Sequence, residues 1–284
     1  MRSIRDVLSQ DSASLRSALA LTANEARLEV QILLQKTLGV ARAYLMAHPE
    51  QPLSEIQQAS YEAMLQRRLQ GEPIAYILGE REFFWLSFKV TPDTLIPRPE
   101  TELLVELALG RIPVDGHFRV LDLGTGSGAI AIAIAKNRPL AEVLAVDVSE
   151  AALEVARENA RRLGVANLSF LRSEWFAQLG GQRYDLIVSN PPYVAAGDVH
   201  LTQGDVRFEP VSALGSGRDG LDDIRQIILQ ARGFLEPGAG LLLEHGYDQA
   251  AQVRDLLRAN GFVDVVSEKD MAGIDRVTGG AIPR

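Results

Sequence analysis

The order of apolar and polar positions divides the chain in two. Over the first seventy residues apolar side chains return at helical spacing behind capping signals. Thr22-x-x-Glu25 opens a run in which Ala26, Val30, Leu33, Leu34 and Leu38 follow a 3.6-residue period until Gly39 stops it. Ser54-x-x-Gln57 repeats the device, with Ala59, Ala63 and Leu69 on one face and Gly71 as the expected C-cap. The pattern predicts a small all-α domain over residues 1–73, closed by Pro73. Residues 74–92 then alternate aromatic and aliphatic side chains (Phe83, Phe84, Trp85, Leu86, Phe88, Val90), the signature of a β-hairpin linker whose hydrophobic strand packs between domains. Pro92, Pro97 and Pro99 exclude both helix interior and central strand, so Thr91 to Glu100 reads as an ordered, extended loop that opens a helix near Glu100.

From residue 118 the period changes. Apolar runs at 118–123, 142–147, 167–171, 184–189, 239–244 and 262–267 are separated by stretches that mostly fit helices. Continuous apolar strands alternating with helices imply a parallel sheet covered on both faces, so residues 93–284 are expected to form a doubly wound α/β domain.

Composition narrows the function classes. With 46% apolar and 23% charged residues the chain folds, and it contains no cysteine, which removes disulfides, thiol nucleophiles and cysteine-ligated metals. The four histidines (His48, His117, His200, His245) are scattered, with no metal-binding spacing, so no metal is expected. Net charge is −8, and the first eighty residues hold eight basic and nine acidic side chains, so neither part is a basic arm and direct nucleic-acid binding is not expected. No apolar run is long enough for a membrane span and the start resembles no signal peptide; together with the missing cysteines this points to the cytoplasm, with a monomer as the default.

In open α/β sheets ligands sit beyond the carboxyl ends of the strands, and three such ends carry chemistry. The first runs into Asp122-Leu123-Gly124-Thr125-Gly126-Ser127-Gly128, where glycines allow a tight turn and close approach of a ligand to a helix N-terminus. The second ends in Asp147, about twenty residues on, placed to accept hydrogen bonds from ribose hydroxyls. Together they indicate a nucleoside-containing cofactor. Gly124-x-Gly126-x-x-Ala129 also satisfies a loose dinucleotide fingerprint, so a nicotinamide enzyme stays open at this point.

The third end discriminates more. A buried strand passes into Asn190-Pro191-Pro192-Tyr193, and consecutive prolines hold an extended, rigid backbone. The Asn190 side-chain carbonyl and the Pro191 main-chain carbonyl can converge on one planar NH₂ group, with Tyr193 as a flat wall. Such a grip suits a nitrogen whose lone pair is delocalised, in an amide or on an adenine, and which must be fixed in line with an activated methyl group.

In these residues the chain resembles the S-adenosylmethionine-dependent methyltransferases with an Asn-Pro-Pro-Tyr motif, and among them the release factor glutamine methyltransferase family. The resemblance extends through Gly71-Glu72-Pro73, Phe83-Phe84, Thr94 to Glu102, Phe208-Glu209-Pro210, Asp219-Gly220-Leu221, Leu243-Glu244-His245-Gly246 and Arg276-Val277. It implies a Rossmann-like methyltransferase sheet. It also implies that the loop Gly124, Thr125, Gly126, Ser127 and Gly128 holds the methionine part of S-adenosylmethionine, with Asp122 at its amino group, Asp147 at the ribose and Trp175 at the adenine. Asn190, with Pro191, Pro192 and Tyr193, would bind and position the glutamine amide of a Gly-Gly-Gln loop in a class-one peptide chain release factor, which the N-terminal domain would help to dock. The products would be N5-methylglutamine and S-adenosylhomocysteine. Arg98 and Glu100 are read as holding their loop in place, and His245 as a hydrogen-bonded residue that the chemistry does not require. Three alternatives remain: an adenine N6-methyltransferase using the same Asn190 grip, a nicotinamide-dependent oxidoreductase, and a non-catalytic cofactor-binding module.

Overall fold

Capping decides where the first helices begin. In the computed structural model, which describes residues 1–284, Ser3, Thr22 and Ser54 each close a reciprocal capping box. The helices they open are α1 (Ile4–Leu19), α2 (Ala23–Leu38) and α4 (Glu55–Leu69), with the short α3 (Arg42–Ala47) between the last two. Ile4, Val7, Leu15, Val30, Leu33, Leu34, Leu53 and Tyr61 form their common core.

The buried face of α4 differs from the expected one. Tyr61, Leu65 and Arg68 point inward, whereas Ala59 and Ala63 are exposed, because the larger side chains remove more apolar area from water. Arg68 tolerates burial through its partners: its guanidinium donates to Glu29 and Asp205 at 2.7 and 2.8 Å and to the carbonyls of Gly71 and Glu72. Gln70, not Gly71, is the C-cap of this helix.

Residues 74–78, expected in the hairpin, instead form the short helix α5 (Ile74–Leu78), opened by Pro73 and closed by Gly79 at φ 73°. A proline ahead of the first turn and a left-handed glycine behind it outweigh the alternating pattern. The hairpin itself is shorter, with β1 (Glu80–Phe83) antiparallel to β2 (Leu86–Lys89) around a turn in which Phe84 and Trp85 take positive φ. Phe83 and Phe88 are buried in the core of the α/β unit, and Trp85 stands exposed at the tip. Residues 1–79 with 202–208 form one compact unit, and residues 80–201 with 209–284 form the other.

The second unit carries a seven-stranded sheet. Its strands are β3 (Phe118–Leu123), β4 (Ala141–Asp147), β5 (Leu168–Arg172), β6 (Tyr184–Ser189), β7 (Leu235–Glu244), β8 (Val263–Lys269) and β9 (Asp275–Ala281). They lie in the order β5-β4-β3-β6-β7-β9-β8, parallel as far as β7. β9 inserts antiparallel between β7 and β8, so the sheet is mixed and not wholly parallel as the apolar runs implied. The helices around it are α6 (Glu102–Arg111), α7 (Ala129–Asn137), α8 (Glu150–Arg162), α9 (Asp222–Ala231) and α10 (Ala250–Ala259). From β3 the chain winds outward through β4 and β5, then returns to lay β6 on the other side of β3. This reversal leaves a crevice at the carboxyl ends of β3 and β6, where both the glycine loop and Asn190 emerge.

Candidate active site

The loop after β3 is built from its own glycines. Gly124, Gly126 and Gly128 have φ values of 71°, 56° and 83°, which side-chain-bearing residues avoid. A Cβ on Gly128 would press to 2.9 Å from Ile132 and 3.1 Å from Ala156, so this glycine lets α7 and α8 pack together. The loop is anchored at each step: Gly124 and Thr125 donate to the Val146 carbonyl, Gly126 donates to Asp147 Oδ2 at 2.9 Å, and the Thr125 hydroxyl donates to Asp122 Oδ2 at 2.6 Å. Buried Asn159 ties the loop to the hairpin, donating to the carbonyls of Ser127 and Lys89 while its own oxygen accepts from the Lys89 N–H.

Asp147 ends β4 with both carboxylate oxygens in use, from Gly126 N–H and, at 2.9 Å, from Ser149 N–H. Burial raises its pKa and these backbone donors oppose the rise. Asp122 is fully buried; desolvation moves its carboxyl up to about 7 against the pull of the Thr125 hydroxyl, and its Oδ1 has no hydrogen-bond partner. Trp175, at φ 47°, lays its ring 3.3 Å from where a Gly124 Cβ would stand, so the flat side chain covers bare backbone.

Gly124 and Gly126 of the loop, with Asp147 and Trp175, border a cavity of about 360 Å³. Of the residues singled out in the sequence, Gly124, Gly126, Asp147, Trp175, Asn190 and Pro192 line it. Asp122, Thr125, Ser127, Gly128, Pro191 and Tyr193 do not; the loop members among them support the lining from beneath. Walls to which sequence reasoning gave no part in the site come from residues 92–95, Ser149, Pro210, Ser212 and Ala213. Thr94, Leu95 and Pro210 lie in segments that carry the resemblance, but their place at the crevice appears only when distant segments fold over it.

The charge of the lining is informative. Asp93, Asp147, Glu174 and Asp223 face the cavity, and no lysine or arginine does. A dinucleotide would bring a pyrophosphate into this field without a cation to meet it, whereas a ligand carrying sulfonium and ammonium charges is attracted. The lining therefore fits S-adenosylmethionine and disfavours the nicotinamide reading.

Asn190 follows β6 directly. Its Nδ2 donates to Thr101 Oγ1 at 3.1 Å, in the 3₁₀ turn Pro99–Thr101 that starts α6, which leaves Oδ1 uncommitted to the protein. Neighbouring Ser189 is bound to the Leu123 carbonyl at 2.7 Å, pinning β6 to the root of the glycine loop. Tyr193 is held at several points: its N–H donates to Leu214, its carbonyl accepts from Gln249, and its hydroxyl lies 3.4 Å from Glu244 Oε1. Gly220 is required beside it, since a Cβ there would sit 2.2 Å from the Tyr193 carbonyl oxygen.

Two other residues have structural surroundings. Arg98 pairs with Glu209, whose second oxygen accepts from the Ile96 N–H, so the proline-rich loop is fastened across the fold and not to Glu100. His245 is buried, bonded to the Gly246 carbonyl at 2.9 Å and Thr278 Oγ1 at 2.7 Å, and desolvation lowers its pKa.

Comparison with known proteins agrees with this architecture. The family described as "PrmC N-terminal domain" matches residues 8–79, and that described as "Methyltransferase small domain" matches residues 100–207. A methyltransferase from Pyrococcus furiosus superposes with a TM-score of 0.55 at 18% identity, covering 78% of this chain and 100% of that one. The 16S rRNA methyltransferase RsmC of T. thermophilus, in complex with AdoMet and guanosine, gives 0.54 at 22% identity over 72% of this chain and 49% of its own. The α/β unit therefore has a Rossmann-like methyltransferase fold. The release factor glutamine methyltransferases of Burkholderia pseudomallei and Salmonella typhimurium are 53% and 52% identical to this chain, over 90% and 89% of it and 92% and 91% of their own lengths. The chain belongs to the release factor glutamine methyltransferase family.

Proposed function

We propose that the protein transfers a methyl group from S-adenosylmethionine to the side-chain amide nitrogen of the glutamine in the Gly-Gly-Gln motif of peptide chain release factors. The observation that carries this reading is the state of Asn190: its Nδ2 donates to Thr101, and the residue borders an acid-lined cavity at the switch point. With one of its N–H groups engaged by Thr101, the side chain keeps its Oδ1 as an acceptor, as recognition of a substrate NH₂ requires.

S-adenosylmethionine, when bound, supplies an electrophilic methyl carried on a sulfonium. Gly124, Gly126, Asp147 and Trp175 would hold it, with the carboxylates of the lining balancing its charge. The protein's task is then the acceptor. An amide nitrogen is a poor nucleophile because its lone pair is delocalised, which gives the C–N bond a rotation barrier of about 18–20 kcal/mol. Asn190 Oδ1 and the Pro191 carbonyl would each take one N–H, leaving the lone pair normal to the amide plane. Both oxygens favour the positive charge that grows on nitrogen as resonance is lost, so they stabilise the transition state more than the ground state. The rigid Pro191-Pro192 backbone adds the proximity contribution. The alkylated nitrogen is strongly acidic and loses its proton to water, so no side chain has to act as a base.

We take the protein to act on release factors in the cytoplasm as a monomer, with residues 1–73 as the docking domain. No helix is long and apolar enough to cross a membrane, and no group of histidines and carboxylates is arranged to hold a metal ion. Methyl-labelled S-adenosylmethionine incubated with the protein and either a release factor or nucleic acid tests the assignment. Label is expected on the Gly-Gly-Gln glutamine; label in nucleic acid with none in the release factor would overturn it.

A further inference from the structure

Glu209 is a buried carboxylate that the scheme above does not use. Its side chain has no exposed surface, and both of its oxygens meet one short stretch of the proline-rich loop. Oε1 receives the Arg98 guanidinium at 2.5 Å, and Oε2 receives the Ile96 N–H at 3.1 Å. Pro97 stands between these two donors with its φ fixed by its ring, and Arg98, which precedes Pro99, is extended at φ −98° and ψ 142°. The carboxylate is therefore gripped at two points by backbone with little freedom to yield.

Both ends of this clasp run into the cavity wall. Residues 92–95, directly before Ile96, line the cavity, and so do Pro210, Ser212 and Ala213, directly after Glu209. Neither stretch lies in a strand or an α-helix. The first is a turn in which the Thr94 N–H donates to the Thr91 carbonyl; the second is a 3₁₀ turn in which the Ala213 N–H donates to the Pro210 carbonyl. Ile96, Arg98 and Glu209 do not themselves line the cavity.

We propose that Arg98 and Glu209 are positioning residues that hold these two parts of the wall together, and so keep the cavity shaped for S-adenosylmethionine before it arrives. This rests on the reading of the cavity as the cofactor site. Segments outside any helix or sheet ladder lose conformational freedom when a ligand orders them, and a cross-link that has already ordered them removes that cost from binding. A carboxylate suits the task because it accepts on both oxygens. One takes a charged guanidinium and the other a main-chain N–H, so a single side chain fixes the loop both by its arginine and by its backbone.

Burial makes the two partners depend on each other. A Glu209 carboxylate deprived of Arg98 would remain as an uncompensated charge in the interior, and the wall would have to move to bring water to it. The influence on the cofactor passes through the walls and not through direct contact, so loss of the clasp should appear in how tightly and how long the cofactor is held.

The test compares Glu209→Gln, Arg98→Met and the double variant Arg98→Met/Glu209→Gln, all in a Trp85→Phe background that leaves Trp175, in the cavity lining, as the one tryptophan. Calorimetry measures S-adenosylmethionine affinity, and stopped-flow fluorescence of Trp175 measures its dissociation. We expect each single variant to weaken affinity roughly tenfold with faster dissociation, raising the cofactor KM while kcat on a release factor at saturating cofactor stays within about twofold. The double variant should bind no more weakly than either single one, because all three remove the same clasp. It buries no unpaired charge, so it decides the matter where Arg98→Met fails to fold. Affinity and dissociation within about twofold of wild type, losses that multiply in the double variant, or a fall in kcat with KM unchanged would each overturn the proposal. A wild type that binds no S-adenosylmethionine would instead overturn the reading of the cavity on which it rests.

Discussion

Asn190 shows how little of a residue's role depends on its identity alone. Two following prolines stiffen the backbone, Thr101 holds the amide through Nδ2, and Oδ1 is left as an acceptor. Asn190→Ala should therefore reduce methyl transfer by about a hundredfold or more, as loss of a transition-state acceptor does, while calorimetry finds cofactor affinity nearly unchanged. Asp147 predicts the opposite pattern. Its carboxylate orders the loop through Gly126 and Ser149 and faces the cavity, so Asp147→Ala should weaken cofactor binding by about tenfold or more before it affects turnover at saturating cofactor. Both positions were legible in the sequence because each follows an apolar strand directly. The contact between Thr101 and Asn190 was not, since it exists only once the start of α6 lies beside the end of β6.

At the level of elements, local chemistry predicted most of the helices and central strands, and it failed where contacts from elsewhere decide. The capping boxes at Thr22 and Ser54 are both present, and the runs at 118–123 and 184–189 are strands over those same residues. β9 went unread because Gly279 and Gly280 argue against a strand, yet it lies between β7 and β8 with its glycines in the closest contacts. A Cβ on Gly279 would come within 2.6 Å of Leu242 and 2.9 Å of the Leu241 carbonyl, so the absent side chain is what admits this strand. Gly279→Val should destabilise the protein by about 3 kcal/mol in urea denaturation. Asn159→Ala should cost a similar amount, about 3 kcal/mol, because it strands the Lys89 N–H and two carbonyls and leaves a void. Unlike the strand mutation, it should also loosen cofactor binding, since one of those carbonyls belongs to Ser127 in the glycine loop.

For the molecule as a whole, buried carboxyl groups set how stability responds to pH. Asp122 and Glu244 are both moved up to about 7 by desolvation, from ordinary values near 4. Between those values the folded state holds protons that the unfolded chain has released, so stability falls as pH rises from about 4 to about 7 and levels off above. His245 works in the other direction: its lowered folded pKa means that stability is lost as pH falls below about 6.5, where the unfolded imidazole protonates. Two carboxyls against one imidazole should leave the ligand-free protein melting at lower temperature at pH 8 than at pH 6. Calorimetry should show this difference shrinking in Asp122→Asn.

The sequence by itself determined the helical and α/β parts, the positions of most strands along the chain, the glycine turn, Asp147 and the stiff Asn190 corner. These depend on neighbours within a few residues, through periodicity, capping and the dihedral limits of proline and glycine. Only the tertiary structure decided that β9 enters the sheet antiparallel, that Arg68 is buried on two carboxylates, and that four acidic residues line a cavity with no cation. It alone also set Thr101 against Asn190. Such pairings form between segments far apart along the chain, and short-range patterning carries no trace of them because the energies involved exist only once the strands have met.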